Sequence, residues 1–160
     1  MIHFSSATDQ WATPTSVFDS ICTAIGVVPT FDAAADASNT KAPAFFTIED
    51  NALVQTWPNA HVWLNPPYGR TLLQWARKAV QEVRRPDGPP SITILVPART
   101  DTRWWLHLVT SGHAQRVMFV HGRIRFGDGT AAAPFPSAII HLTRAPHARP
   151  SVDFRTEVNQ

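Results

Sequence analysis

Four consecutive residues of this 160-residue chain, Asn65-Pro66-Pro67-Tyr68, combine side chains that suit one kind of chemistry. They follow the run His61-Val62-Trp63-Leu64, which reads as a strand buried on both faces. With proline near 5% of residues, such a turn arises by chance in roughly one chain in a thousand of this length, so its position directly after a strand carries information. The two prolines fix φ and remove two backbone donors. What remains is a rigid rim of acceptors, the Asn65 side-chain oxygen and the Pro66 carbonyl, with the Tyr68 ring as a flat face beside them. Two such oxygens can accept both N–H bonds of a planar NH2 group, and a ring can stack on its plane. An exocyclic amine on an aromatic base is a poor nucleophile, because its lone pair is delocalised into the ring. Accepting both hydrogens steers the nitrogen toward a tetrahedral form and stabilises the positive charge that grows on it during attack. An asparagine amide is too weakly basic to take the proton fully. Orientation and electrostatics would dominate, with proton loss to solvent later.

The turn needs a scaffold, and the rest of the chain predicts one. Short apolar runs at 30–34, 61–64, 91–96, 116–121 and 137–142 read as strands. Two segments read as helices: 15–25, with Phe18, Ile21, Cys22 and Ile25 on one stripe, and 71–84, with Leu72, Ala76, Ala79, Val80 and Val83 on another. A third helix is expected over 101–110. Alternating strands and helices predict an α/β fold with a mostly parallel sheet flanked by helices, in one compact domain over residues 1–160. Its core spans about 9–142, and 145–160 reads as a C-terminal tail. In such sheets ligands bind beyond the carboxyl ends of the strands, which puts the chemistry just after Ala34, Leu64 and Val96.

Composition narrows the alternatives. The chain is 44% hydrophobic and 16% charged, enough apolar material for a core. Fourteen prolines and seven glycines favour a loop-rich fold over a helical bundle. No apolar run approaches the roughly 18 residues of a membrane span, so no membrane partner is expected. The opening Met1-Ile2-His3-Phe4-Ser5-Ser6 lacks a basic and then an apolar stretch, which predicts no signal peptide and a cytoplasmic location. The lone Cys22 excludes an internal disulfide and a cysteine-rich zinc site, and reads as a buried small hydrophobe. His107 and His113 are six apart, as are His141 and His147, and neither spacing matches a zinc site; no metal is expected. A net charge of +2 with an isoelectric point of about 9.2 permits a nucleic-acid partner.

Arginines and aromatic residues cluster where such a partner would lie. Arg99, Arg103, Trp104 and Trp105 come just after the 91–96 strand and could meet phosphates and an unstacked base, with Trp105 read as core. Arg123 and Arg125 alternate with Ile124 and Phe126, which places both arginines on one face of a strand or hairpin arm beside the Gly127-Asp128-Gly129-Thr130 loop. A packed helix and a solvated strand face are the plainer readings of these two segments.

Several blocks, in order, resemble the phage-type (Dam-like) DNA N6-adenine methyltransferases of phages and prophages. They are Asp9-Gln10-Trp11-Ala12-Thr13-Pro14, Phe31-Asp32-Ala33-Ala34-Ala35, Asn39-Thr40-Lys41, Phe45-Phe46-Thr47, and Asn65-Pro66-Pro67-Tyr68-Gly69-Arg70. Leu95-Val96-Pro97-Ala98-Arg99-Thr100-Asp101-Thr102, Gly122-Arg123-Ile124-Arg125-Phe126-Gly127 and Pro134-Phe135-Pro136-Ser137 complete the series. The resemblance implies a class I, Rossmann-like methyltransferase fold, S-adenosylmethionine as methyl donor and adenine N6 of DNA as acceptor. It implies a catalytic role for Asn65, Pro66, Pro67 and Tyr68. It also implies donor contacts from Trp11, Thr13 and Pro14, from Asp32, Ala33 and Ala34 after the first strand, and from Asp50 toward the donor's adenine. DNA contacts would fall to Arg99, Arg103, Trp104, Arg123 and Arg125. If the chain is phage-encoded, its compartment is the bacterial host cytoplasm. Ala34-Ala35-Asp36-Ala37 stands where many methyltransferases carry a glycine-rich turn. Two other readings of the 65–68 turn stay open: methyl transfer to RNA adenine or a protein glutamine amide, and a catalytically silent module that binds DNA or donor.

Overall fold

A computed structural model describes residues 11–158; residues 1–10, with the Met1–Ser6 opening and the Asp9-Gln10 pair, and residues 159–160 lie outside the described residues. Seven strands form one sheet among the described residues: β1 Phe31–Asp32, β2 Ala44–Phe45, β3 Val62–Leu64, β4 Ser91–Pro97, β5 Ala114–Val120, β6 Ser137–Thr143 and β7 Ser151–Thr156. Among the same residues three helices accompany them: α1 Thr15–Ile25, α2 Leu72–Arg84 and α3 Arg103–Val109. The strand order is β2-β1-β3-β4-β6-β5-β7. The neighbours from β2 to β4 and the β5–β7 pair are parallel, while β6 runs antiparallel to both β4 and β5. The sheet is therefore mostly parallel, as the sequence predicts, and the carboxyl ends of β1, β3 and β4 share one edge.

Alternation along the strands builds a core on each face. Val62, Leu64, Ile92, Ile94, Val96, Val117 and Ile140 point to one side and pack with α2 and α3. Trp63, Leu95, Met118 and Ile139 point to the other and pack with Val17, Phe18, Ile21 and Cys22 of α1. Ile124, Phe126 and Phe135 close that second core. Burial pushes the Cys22 thiol up to about 11, with Asp19 adding to the effect, so the residue is a packing group. α1 starts after Pro14, whose carbonyl accepts from Phe18 N at 3.0 Å. It stops at Gly26, where φ is +79° and the glycine N–H closes the last turn on Cys22 O at 2.8 Å.

The helices and five long or central strands match the expected elements. Two further strands do not announce themselves in sequence. β2 has only two residues, and β7 lies in the segment read as a tail, where it pairs with β5. Residues 123–126 form no strand, contrary to the period-two reading. Ile124 and Phe126 nevertheless face inward while Arg123 and Arg125 are exposed. The core holds the inward-facing side chains, and isolated backbone bonds, Ala133 N to Ile124 O and Gly127 N to Ala12 O, each 2.9 Å, tie the segment down without forming a ladder.

α2 carries a charge inward. Glu82, 2% exposed, binds Lys78 at 2.5 Å, Arg85, and the Trp57 N–H at 3.1 Å. Burial pushes the Glu82 carboxyl up, but the Lys78 and Arg85 hydrogen bonds and the Trp57 N–H outweigh it, so the group is held below the usual range. A depressed carboxylate stabilises the fold above its unfolded value of about 4.3, and that contribution is lost as pH falls through the lower folded value. Glu82→Ala strands a buried ammonium and a buried N–H, so urea titration at pH 7 should show a loss of about 3 kcal/mol. The deficit relative to wild type should narrow in acid; an equal deficit at pH 7 and below pH 3 would contradict the ionic role.

Candidate active site

The carboxyl edge of the sheet gathers three loops. The turn after β3 runs through the two prolines to Gly69, whose φ of +137° suits glycine alone, and then enters α2. Asn65 sits at its start, half-buried. Its Nδ2 donates to the Trp11 carbonyl at 2.7 Å and to Thr13 Oγ1 at 3.1 Å. Its Oδ1 accepts from the Tyr68 hydroxyl at 2.8 Å, and that hydroxyl also approaches Leu95 O at 3.2 Å. A carbonyl-type oxygen has two lone pairs, so Oδ1 keeps one acceptor position. None of the hydrogen bonds among the described residues uses the Pro66 carbonyl. Burial pushes the Tyr68 hydroxyl pKa up, which keeps it protonated as a donor.

The loop after β1 is organised by two aspartates. Asp32, 2% exposed, accepts from Ala34 N at 3.2 Å and from Lys41 N at 2.9 Å, pinning both ends of the loop. Asp36 accepts from Ser38 N at 2.7 Å and Asn39 N at 3.1 Å, and Asn39 Oδ1 accepts from Asp36 N at 2.9 Å. These side-chain bonds make the bend that glycines would otherwise permit. Burial pushes the Asp32 carboxyl up to about 6, against the pull of the Lys41 and Ala34 N–H groups and of the Lys41 charge.

Two cavities meet at this edge. A narrow pocket of about 30 Å³ lies between Asp32, Asn39, Lys41, Asn65 and Thr13. Beyond Ala34 and Pro67 it adjoins a cavity of about 510 Å³ lined by Ala33, Leu53, Glu49, Asn51 and Trp75. The first is lined by one acidic and one basic residue; the second is mainly apolar with two acidic residues, Asp36 and Glu49. On the other side of the turn a cleft of about 550 Å³ is lined by Trp11, Tyr68, Pro97, Trp104 and Phe135, with Arg70 and Arg99 at its margin. Tyr68 lies 5.6 Å from Phe135 edge-on and 6.1 Å from Trp11, centroid to centroid.

Most residues singled out in sequence converge here. Asn65, Pro66, Pro67, Trp11, Thr13, Asp32 and Ala34 line the narrow pocket, and Ala33 the larger cavity. Pro14 instead starts α1, and Asp50 turns back on its own loop, accepting from Thr47 N at 2.7 Å. Its neighbours Glu49 and Asn51 face the cavity. Arg99 and Trp104 line the aromatic cleft, and Arg103 is exposed on α3 outside its lining. Arg123 and Arg125 border a separate shallow hollow with His121. Lys41, Asn39, Glu49 and Arg70 received no role from sequence. Lys41, Asn39 and Arg70 were nonetheless inside blocks that carried the resemblance.

A family model described as DNA N-6-adenine-methyltransferase (Dam) matches residues 3–145. A DNA N-6-adenine-methyltransferase of Escherichia phage T1 is 35% identical over 98 residues, which are 61% of this chain and 39% of that protein. The protein of the same name from Haemophilus phage HP1 is 30% identical over 119 residues, 74% of this chain and 66% of the relative. The chain thus matches less than two thirds of the length of either phage protein. In fold it is similar to the modification subunit of a putative type I restriction enzyme from Vibrio vulnificus, with a TM-score of 0.55 at 10% identity, covering 93% of this chain and 46% of that one.

The buried carboxylate gives the site a measurable signature. An aspartate raised above its unfolded value of about 3.9 favours the fold most below that value, and this contribution disappears as pH rises through the folded one. Carbon-detected NMR titration should place Asp32 near pH 6; a midpoint near 4 would contradict its desolvation.

Proposed function

This chain belongs to the DNA N-6-adenine-methyltransferase (Dam) family, and on that premise we propose that it methylates the exocyclic amine of adenine in DNA with S-adenosylmethionine as donor. The observation that carries the reading is the placement of the 65–68 turn as the wall between a charged pocket and an aromatic cleft. The donor's amino-acid end bears an ammonium and a carboxylate. Asp32 and Lys41 offer the complementary pair, with Asn39 beside them. The small side chains of Ala33, Ala34 and Ala35 leave room for its nucleoside end, and Glu49 supplies an acceptor for hydroxyl groups. When bound, the donor supplies an electrophilic methyl group.

The chain's own residues do the rest. Asn65 Oδ1 and the Pro66 carbonyl accept the two N6 hydrogens. This draws the lone pair out of conjugation and stabilises the charge that grows on nitrogen. Neither oxygen is basic enough to keep a proton, which leaves to solvent after transfer. Adenine reaches the turn only out of the duplex, at a cost of a few kcal/mol. Tyr68 and the aromatic cleft offset part of that cost by stacking. Arg99 and Arg70 at the cleft margin, and Arg103, Arg123 and Arg125 farther out, bind phosphates.

Radiolabelled methyl transfer to duplex DNA, RNA and protein, followed by base-resolved mapping of N6-methyladenine, tests the reading. Label in adenine of DNA is the expected result, and label confined to RNA or protein would overturn it. Asp32→Ala removes a charge-assisted bond of about 1.5–3 kcal/mol. Calorimetry should show the donor binding correspondingly more weakly, and unchanged affinity would remove Asp32 from the donor site. Arg99→Ala should weaken DNA binding across sequences and shallow the salt slope by about one unit. An unchanged slope would make Arg99 a surface residue.

A further inference from the structure

The Asn65 amide is oriented from behind. A main-chain carbonyl can only accept, so the Asn65 atom 2.7 Å from Trp11 O is the nitrogen, and the second N–H goes to Thr13 Oγ1. Both donors of the amide are thereby used within the chain, and the oxygen is the atom left to face a ligand. Thr13 is 4% exposed, so its hydroxyl is largely shielded from bulk water. The segment that carries these acceptors is itself tied down. Ala12 O accepts from Gly127 N at 2.9 Å, and the Trp11 ring packs on Phe135 and Phe126 at 5.1 and 5.5 Å.

We propose that Thr13 is a positioning residue for Asn65: its hydroxyl and the Trp11 carbonyl lock the amide with Oδ1 outward, and together they make position 65 selective for asparagine over aspartate. The proposal rests on the reading of Asn65 as acceptor of an amine hydrogen. By basicity alone an aspartate would accept that hydrogen better. Here, however, a carboxylate oxygen would face the Trp11 carbonyl with no proton between them. The side chain would have to rotate away or take up a proton, and either change moves the accepting oxygen off its position. Thr13, expected from the family resemblance to touch the donor, thus acts through Asn65.

The test compares Thr13→Val, which keeps the shape and removes the acceptor, with Thr13→Ser, which keeps the hydroxyl, and with Asn65→Asp. Single-turnover methylation of duplex DNA is measured at saturating S-adenosylmethionine. Donor Kd is measured by calorimetry without DNA, and rates are expressed per folded molecule from thermal unfolding. Thr13→Val should slow the step roughly 10- to 100-fold, as misplacement of a reacting group does, with donor Kd within about twofold of wild type. Thr13→Ser should restore most of the lost rate. Asn65→Asp should fall at least as far as Thr13→Val, and adding Thr13→Val to it should cost little more. A Thr13→Val variant with weakened donor binding and a wild-type saturated rate would make Thr13 a donor ligand and overturn the proposal. So would an Asn65→Asp variant as fast as wild type, or equal rates per folded molecule in all three variants. If wild type binds the donor yet transfers nothing to DNA adenine, the functional reading fails and this proposal falls with it; an active wild type with indifferent Thr13 variants sinks this proposal alone.

Discussion

A side-chain amide with both N–H bonds committed and one lone pair open sits at the carboxyl end of β3, and the arrangement around it serves that geometry. β3 lies between β1 and β4, parallel to both, so the ends of three strands come to one edge. The two prolines that follow fix φ and offer no backbone N–H to compete for the Asn65 oxygen, and both line the same narrow pocket as Asn65. The Trp11–Thr13 segment crosses this edge and supplies the acceptors that fix the amide. Its own position depends on the aromatic cluster formed by Trp11, Tyr68, Phe126 and Phe135, so the packing of one face of the sheet sets the orientation of one polar group.

Polarity at the same edge is held at a cost. Asp32 is buried against its tendency to remain in water, and its carboxyl is raised accordingly. The two backbone N–H groups it accepts reduce that cost and tie down the 33–41 loop. A buried carboxylate next to a lysine, in a pocket too small for much water, suits a zwitterionic partner better than a neutral one. On the proposed reading the donor's amino-acid end completes this arrangement. The mainly apolar cavity beyond it leaves room for a nucleoside, with the half-buried Asp36 and the exposed Glu49 as its two acidic lining residues.

Much of this was legible in sequence, because long apolar periodicities decide the large elements. α1 and α2 follow from their stripes, and β4 and β6 from continuous apolar runs buried on both faces. β2 was not legible, since two residues at a sheet edge carry no period. Nor was β7, whose Val152 and Phe154 stay exposed and leave little burial pattern. The alternation of Arg123 and Arg125 with Ile124 and Phe126 reports burial correctly and pairing incorrectly, because inward-facing residues need a core and do not need a partner strand. At the site, the 65–68 turn and Asp32 stand out by residue type. The orientation of Asp50 away from the cavity depends on its bond to Thr47, and the service of Thr13 to Asn65 depends on a contact between positions 52 apart in the chain. Neither is written in local spacing.

On the proposed reading the Asn65 amide acts in the transition state and is not scaffolding. Single-turnover methylation of an adenine-containing duplex by Asn65→Ala, beside S-adenosylmethionine affinity and unfolding measured on the same preparation, tests it most directly. The rate should fall by about a thousandfold or more, as for loss of a preorganised transition-state group, with donor affinity and fold retained. A near-normal rate in a folded, donor-binding Asn65→Ala variant would contradict it.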